Sequence, residues 1–267
     1  IHLFRPSVPY TNIQTKSLGS RSVARKGILI AVEGLDGSGK STQAHLLNRW
    51  LTASGVPVHH TEWNSSPHVA AATKIGKNTH RLTPETFHLI HAADFADRWE
   101  RQIEPMLAVG GVVICDRYKF TAMARDGARG IPLDRIEATY VFARDPDLTI
   151  YFETPIEVAL NRILHGRPEL KYYEAGLDMG WTQDPYESYR ILQTKIGEIY
   201  SELSKTGRII PVSSVGSVSE VQHRARGIIH AHLDLSNIDL VDPSDRLANT
   251  MSLGQLEWTN LPGSDPS

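Results

Sequence analysis

Cysteine is nearly absent. The lone Cys115 excludes an intrachain disulfide and fits a reducing compartment. Long hydrophobic runs are lacking as well: none approaches the roughly 20 apolar residues that span a bilayer, so no membrane partner is expected. Charge of one sign is also scarce. The formal net charge is −2 over 267 residues, so no nucleic-acid partner is expected. Twelve histidines supply no zinc-ligand spacing, and His59-His60 reads as surface at a strand end. There is no internal repeat and no nucleophile elbow.

Acidic residues are missing from the first 26 positions, which carry Arg5, Lys16, Arg21, Arg25 and Lys26 among serines and threonines. With isoleucine at position 1, the chain is expected to begin inside a longer gene product. The basic arm resembles the end of an organellar transit peptide, and a disordered arm or linker is the plainer reading. The expected compartment is the cytoplasm, or a mitochondrion or other organelle if the arm is a transit remnant.

What is present is ordinary globular composition, 40% hydrophobic and 22% charged. One folded unit is expected over 27–233, with an arm at 1–26 and a tail at 234–267 rich in Ser, Asn, Asp and Pro. Short apolar runs at 27–33, 111–116 and 148–152 read as buried strands, and 56–61 and 208–212 as two more. Helices are expected over 40–54, from the Thr83-Pro84 start to about 108 with a kink at Pro105, after a capping box at 154–157, over 186–203 and over 217–233. Strands alternating with helices imply an α/β fold, a doubly wound parallel sheet of about five strands flanked by helices.

The segment G-L-D-G-S-G-K-S at 34–41 fits G-x-x-x-x-G-K-[ST] at every fixed position, with a strand before it and a helix after it. Gly34, Gly37 and Gly39 let backbone N–H groups converge on phosphate oxygens. Leu35, Asp36, Ser38 and Thr42 complete the loop and helix start that would wrap ATP, and the helix N-terminus adds a dipole suited to an anion. Lys40 would neutralise the β- and γ-phosphates, and Ser41 would ligate Mg²⁺. Asp116-Arg117-Tyr118 closes the third strand at the carboxyl edge, where ligands bind in open α/β sheets. Asp116 could hold Mg²⁺ through water, and Arg117 could clamp an acceptor phosphate.

On these residues the chain resembles the thymidylate kinase family. The matching segments are V-E-G-L-D-G-S-G-K-S-T-Q at 32–43, A-D-F-A-D-R-W-E at 93–100, C-D-R-Y at 115–118 with A-R-D-G at 124–127, and P-D-L-T-I-Y-F at 146–152. The resemblance implies a P-loop nucleotide kinase with a lid at about 162–186, working as a homodimer. Its partners would be ATP and a nucleoside monophosphate, with dTMP converted to dTDP. It also implies that Asp36 approaches the acceptor sugar hydroxyl and that Arg117 holds the acceptor phosphate. The family's lid supplies further arginines, here Arg162 or Arg167.

The acceptor side departs from the family. Phe87, His91, Asp94 and Arg98 recur along one face of the long helix, a polar stripe able to stack on a base and read its edge. Leu89, Ile90, Ala93 and Ile103 are expected to face the core. Asp94 stands four before Arg98, where the family has an aromatic, and Phe95 stands three before. T-E-W-N-S-S at 61–66 lacks the usual acceptor arginine, and Asp126 replaces a glutamine. Tyr118 and Asp126 are counted with the acceptor residues. Two alternatives stay open: a kinase of another nucleotide or nucleoside, and an inactive ATP-binding module of the same fold. The segment 165–187 is long and aromatic, with Tyr172, Tyr173, Trp181 and Tyr186, and reads as an enlarged lid or a docking surface.

Overall fold

The computed structural model describes residues 27–235. The arm at 1–26 and the tail from 236 onward lie outside the described residues. Five strands, β1 (Ile28–Gly34), β2 (Val58–Glu62), β3 (Val112–Asp116), β4 (Leu148–Glu153) and β5 (Ile210–Ser213), form one sheet in the order β2-β3-β1-β4-β5. Every pairing is parallel. Side chains alternate across a strand, and β1 shows the effect. Leu29 and Ala31 join one core with Val113 and Cys115, while Ile30 and Val32 join the other with Ile114 and Ile150. Both faces are covered, which explains the unbroken apolar runs. The register aligns Val32 with Asp116 and Gly34 with Phe152, so the ends of β3 and β4 flank the loop that leaves β1.

The helices are α1 (Lys40–Ala53), α2 (Pro67–Asn78), α3 (Pro84–Arg98), α4 (Glu104–Ala108), α5 (Lys119–Gly127), α6 (Leu133–Thr139), α7 (Ile156–Gly166), α8 (Tyr172–Ala175), α9 (Pro185–Lys205) and α10 (Val218–His232). Thr83 caps α3 by accepting from the Thr86 N–H, with Pro84 in the first turn. The expected long helix changes character before Pro105. A π-helical turn at Trp99–Ile103 joins α3 to α4, because Pro105 has no N–H to offer the preceding turn.

Two expectations are corrected. The capping box at 154–157 does not form. The Thr154 hydroxyl donates to the Phe152 carbonyl at 3.1 Å and shares a 2.6 Å bond with Ser214, so it is not available to α7. The faces of α3 are also exchanged. Leu89 is 52% exposed and Ala93 is exposed, whereas the stripe of Phe87, His91, Asp94 and Arg98 is buried; Ile103 is in the core as expected. Burial of Asp94 is offset by two backbone N–H groups and that of Arg98 in part by the Arg117 carbonyl, while His91 Nε2 has no hydrogen-bond partner among the described residues.

Candidate active site

The glycine loop turns back over α7 on positive backbone angles, φ 83° at Gly37 and 84° at Gly39. A Cβ on Gly37 would lie 2.3 Å from the Ala159 carbonyl oxygen, so only glycine fits. No side chain caps α1 and no acid occupies its first turn, which leaves its leading N–H groups suited to an anion. Lys40 is buried, with Nζ donating to the Leu35 carbonyl at 3.2 Å and lying 4.0 Å from Asp36. Burial, helped by Arg117 and opposed by Asp36 and Asp116, brings its pKa down to about 8.

Asp36 is the charged centre. Arg117 Nη2 reaches its Oδ1 at 2.5 Å, and Arg125 Nη2 bonds its Oδ2. Burial alone would raise the Asp36 carboxyl; Arg125, Arg117 and Lys40 outweigh that and hold it well below the usual carboxylate range. Arg117 adopts a left-handed backbone, φ 71°, uncommon for a side-chain-bearing residue. Its N–H donates to Val32 at 2.9 Å and its carbonyl accepts from Arg98 Nη2 at 2.7 Å, which stabilises the turn from both sides. Behind it, the fully buried Glu33 accepts from the Tyr118 N–H and the Tyr200 hydroxyl, both at 2.9 Å, and from Thr121. Burial raises the Glu33 pKa despite these donors.

Beside Asp36 opens a cavity of about 800 Å³. It is lined by Asp36 and Arg125, Lys74 and Lys77 of α2, Phe87 and Asp94 of α3, and Tyr172 and Tyr173 of α8. Phe87 and Asp94, two of the expected acceptor residues, thus line this cavity. Asp94 is fixed by the N–H groups of Asn64 and Ser66, both at 2.9 Å. Of the other expected acceptor residues, His91, Phe95, Arg98, Tyr118 and Asp126 do not line the cavity and pack elsewhere. His91 packs beneath Phe87 with ring centres 4.2 Å apart. Phe95 packs on Trp63, Tyr118 and Tyr140. Arg98 holds the Arg117 carbonyl, and the Tyr118 hydroxyl donates to Arg144. Asp126 pairs with His88 at 2.8 Å.

The segment expected as a lid divides in two. Arg162 reaches the glycine loop, Nη1 donating to the Ser38 carbonyl at 3.1 Å and Nη2 to that of Ser214 at 2.8 Å. Arg167 pairs with Glu174 instead. Around α8 the chain forms a wall of the cavity. The Tyr173 hydroxyl accepts from the Leu82 N–H at 2.9 Å, Tyr172 stacks on His80 at 3.9 Å, and buried Arg129 bonds Asp178 at 2.8 Å and the Tyr173 carbonyl at 2.7 Å. Arg125 falls within the A-R-D-G segment at 124–127, but no sequence signal assigned it to the site; the fold places it in the cavity lining and Arg129 behind the α8 wall.

The residues fit a hydrated Mg²⁺. Asp116 is buried with an Oδ1 that has no hydrogen-bond partner, and Ser41 is exposed on the first turn of α1. One or two protein oxygens completed by water and phosphate are what Mg²⁺ usually takes.

A five-stranded parallel sheet flanked by helices, with a glycine loop and a cavity at its carboxyl edge, defines an α/β nucleotide-kinase fold. The family model described as Thymidylate kinase matches residues 32–224. A protein of Saccharolobus solfataricus named probable thymidylate kinase 2 is 42% identical over 79% of this chain and 99% of its own length. A probable thymidylate kinase of Pyrococcus abyssi is 29% identical over 76% of this chain and all of its own. A thymidylate kinase of Xanthomonas euvesicatoria is 30% identical over 78% and 85%. The chain belongs to the thymidylate kinase family. Among the described residues, no helix is long and apolar enough to cross a membrane.

Proposed function

We propose that the protein transfers the γ-phosphoryl group of Mg²⁺·ATP to dTMP, giving dTDP and ADP, and that residues 27–233 form the catalytic domain. One observation carries this reading: the glycine loop and the cavity meet at a single charged junction, where Asp36 lies among Lys40, Arg117 and Arg125. Phosphoryl transfer asks little covalent chemistry of a protein. It needs the two phosphates in line and positive charge on the oxygens where charge gathers.

Backbone N–H groups from Gly34 to Thr42 and the Lys40 ammonium bind the donor phosphates. Ser41 and Asp116 would hold Mg²⁺, which would neutralise phosphate charge. Arg117 holds the acceptor phosphate and Asp36 the acceptor sugar hydroxyl. Arg162, already beside Ser38, is the arginine best placed to follow the group in transfer. Phe87 offers the base a ring in the cavity lining. A homodimer is supported by apolar side chains left exposed, Leu89 and Phe142 with Val141 at 82%. The lone buried thiol, Cys115, supports the cytoplasm as its compartment.

An ADP-release assay over a panel of nucleoside monophosphates tests the reading. dTMP is expected to be turned over fastest, Lys40→Ala to abolish turnover, and Arg117→Ala to impair acceptor use above all. Rapid turnover of another acceptor with none of dTMP, or ATP binding without any turnover, would reject it.

A further inference from the structure

The junction holds more positive charge than Asp36 can balance. Its Oδ1 is bonded to Arg117, its Oδ2 to Arg125, and Lys40 stands 4.0 Å away. These side chains are little exposed, 12% for Asp36, 17% for Arg117 and 22% for Arg125. Asp116 offsets part of this charge at Lys40 and Arg117, while the carboxylate bonded to Arg125 is that of Asp36, so an added anion is stabilised beside Arg125. Of the three cations, Arg125 is the one that lines the cavity, beside Asp36. Its main chain is anchored, because the Arg125 carbonyl accepts from Arg129 Nη1 at 3.3 Å and the start of α5 is bonded to Glu33. Lys74, Lys77 and Lys171 line the same cavity. Burial, then the charges of Arg125 and Lys171, lower the Lys77 pKa against the opposing pull of Asp94 and Asp36.

We propose that Arg125 is an acceptor-phosphate ligand, the second jaw of a clamp whose first is Arg117, and that Asp36 keeps its place in the empty site. This rests on the nucleoside monophosphate reading above. On binding, an oxygen of the acceptor phosphate replaces Asp36 Oδ2 on the guanidinium. That carboxylate oxygen is then free to accept from the acceptor sugar hydroxyl. A guanidinium suits the exchange, because its planar fork matches phosphate oxygens.

The test separates the phosphate from the rest of the ligand. Wild type, Arg125→Gln and Arg125→Lys are titrated with dTMP and with thymidine, and the ratio of the two Kd values reports what the phosphate contributes. Loss of a charge-assisted bond should cut that ratio by about tenfold to a hundredfold in Arg125→Gln. Arg125→Lys should recover part of it, and binding of a non-hydrolysable ATP analogue should be unchanged. A merely structural arginine would weaken dTMP and thymidine alike, and an unchanged ratio in both variants overturns the proposal. If Arg125→Gln does not fold, the ratio in Arg125→Lys decides. A wild type with no preference for dTMP over thymidine would overturn the functional reading and this inference together; a preference that survives both substitutions overturns this inference alone.

Discussion

Replacing Asp36 by asparagine removes one charge and keeps the side chain's shape. The carboxylate bonds two guanidinium groups and faces the Lys40 ammonium, all at low exposure. Removing one partner of a buried pair costs about 3–5 kcal/mol. The cavity admits some water, so the lower end, about 3 kcal/mol, is expected here. For a domain of this size that lowers Tm by about 6–12 °C. Inorganic phosphate should partly restore it, because the anion no longer competes with Asp36 for the cations. At a hundred times the wild-type Kd, phosphate stabilises the wild type by about 2.7 kcal/mol, and a variant binding it tenfold more tightly by about 4.1 kcal/mol. The Tm gap should therefore narrow by about 3–6 °C when phosphate is added. The pH dependence has a definite sign. The Asp36 carboxyl is held low in the folded protein, so its contribution is complete above the unfolded carboxylate pKa and is lost as pH falls below about 4. The gap should close in acid. Thermal melts of both proteins, with and without phosphate, read all of this. A variant that melts with the wild type and responds equally to phosphate would refute the electrostatic account of the junction.

Lys40, with its pKa near 8, should carry a proton in about half of empty sites at pH 8. A bound triphosphate restores the charge, so calorimetry in two buffers at that pH should show roughly half a proton taken up per ATP. ATP affinity should fall as pH rises further, and Lys40→Met should show no uptake. Asp178→Asn leaves Arg129 buried without its carboxylate and should cost about 3–5 kcal/mol in urea unfolding. It should also raise the KM for dTMP more than that for ATP, since it loosens only the acceptor wall. Gly37→Ala, forced toward the Ala159 carbonyl, should lose ATP binding while its far-ultraviolet circular dichroism stays that of the wild type.

The sheet was legible because parallel strands buried on both faces need continuous apolar runs, and β1, β3 and β4 have them. The glycine loop was legible because its chemistry is local: eight consecutive residues carry the turn, the cation and the helix start. The acceptor side was not local. Regular spacing put Phe87, His91, Asp94 and Arg98 on one face of α3, but spacing does not say whether that face meets a cavity or a core. Here it meets both, and only Phe87 and Asp94 reach the cavity. Leu89 misled for the opposite reason, an apolar side chain directed outward. Arg125 joins the site by the placement of α5, and α8 by contacts from Leu82, His80 and Arg129. Those contacts span 44 to 92 residues in sequence, beyond any helical or strand periodicity.

Glu33 has a consequence for remodelling this enzyme. That side chain bolts the entry to α5 onto the strand carrying the glycine loop, so the spacing of the two reacting phosphates is gauged by one internal strut. The wall around α8 hangs from separate anchors, His80 and Leu82 in the connection between α2 and α3 and Arg129 just after α5. Acceptor preference should therefore be open to redesign by trading residues in that wall, with the phosphate spacing left untouched. An exchange at Glu33 would instead shift the gauge itself and disable the enzyme toward every acceptor alike.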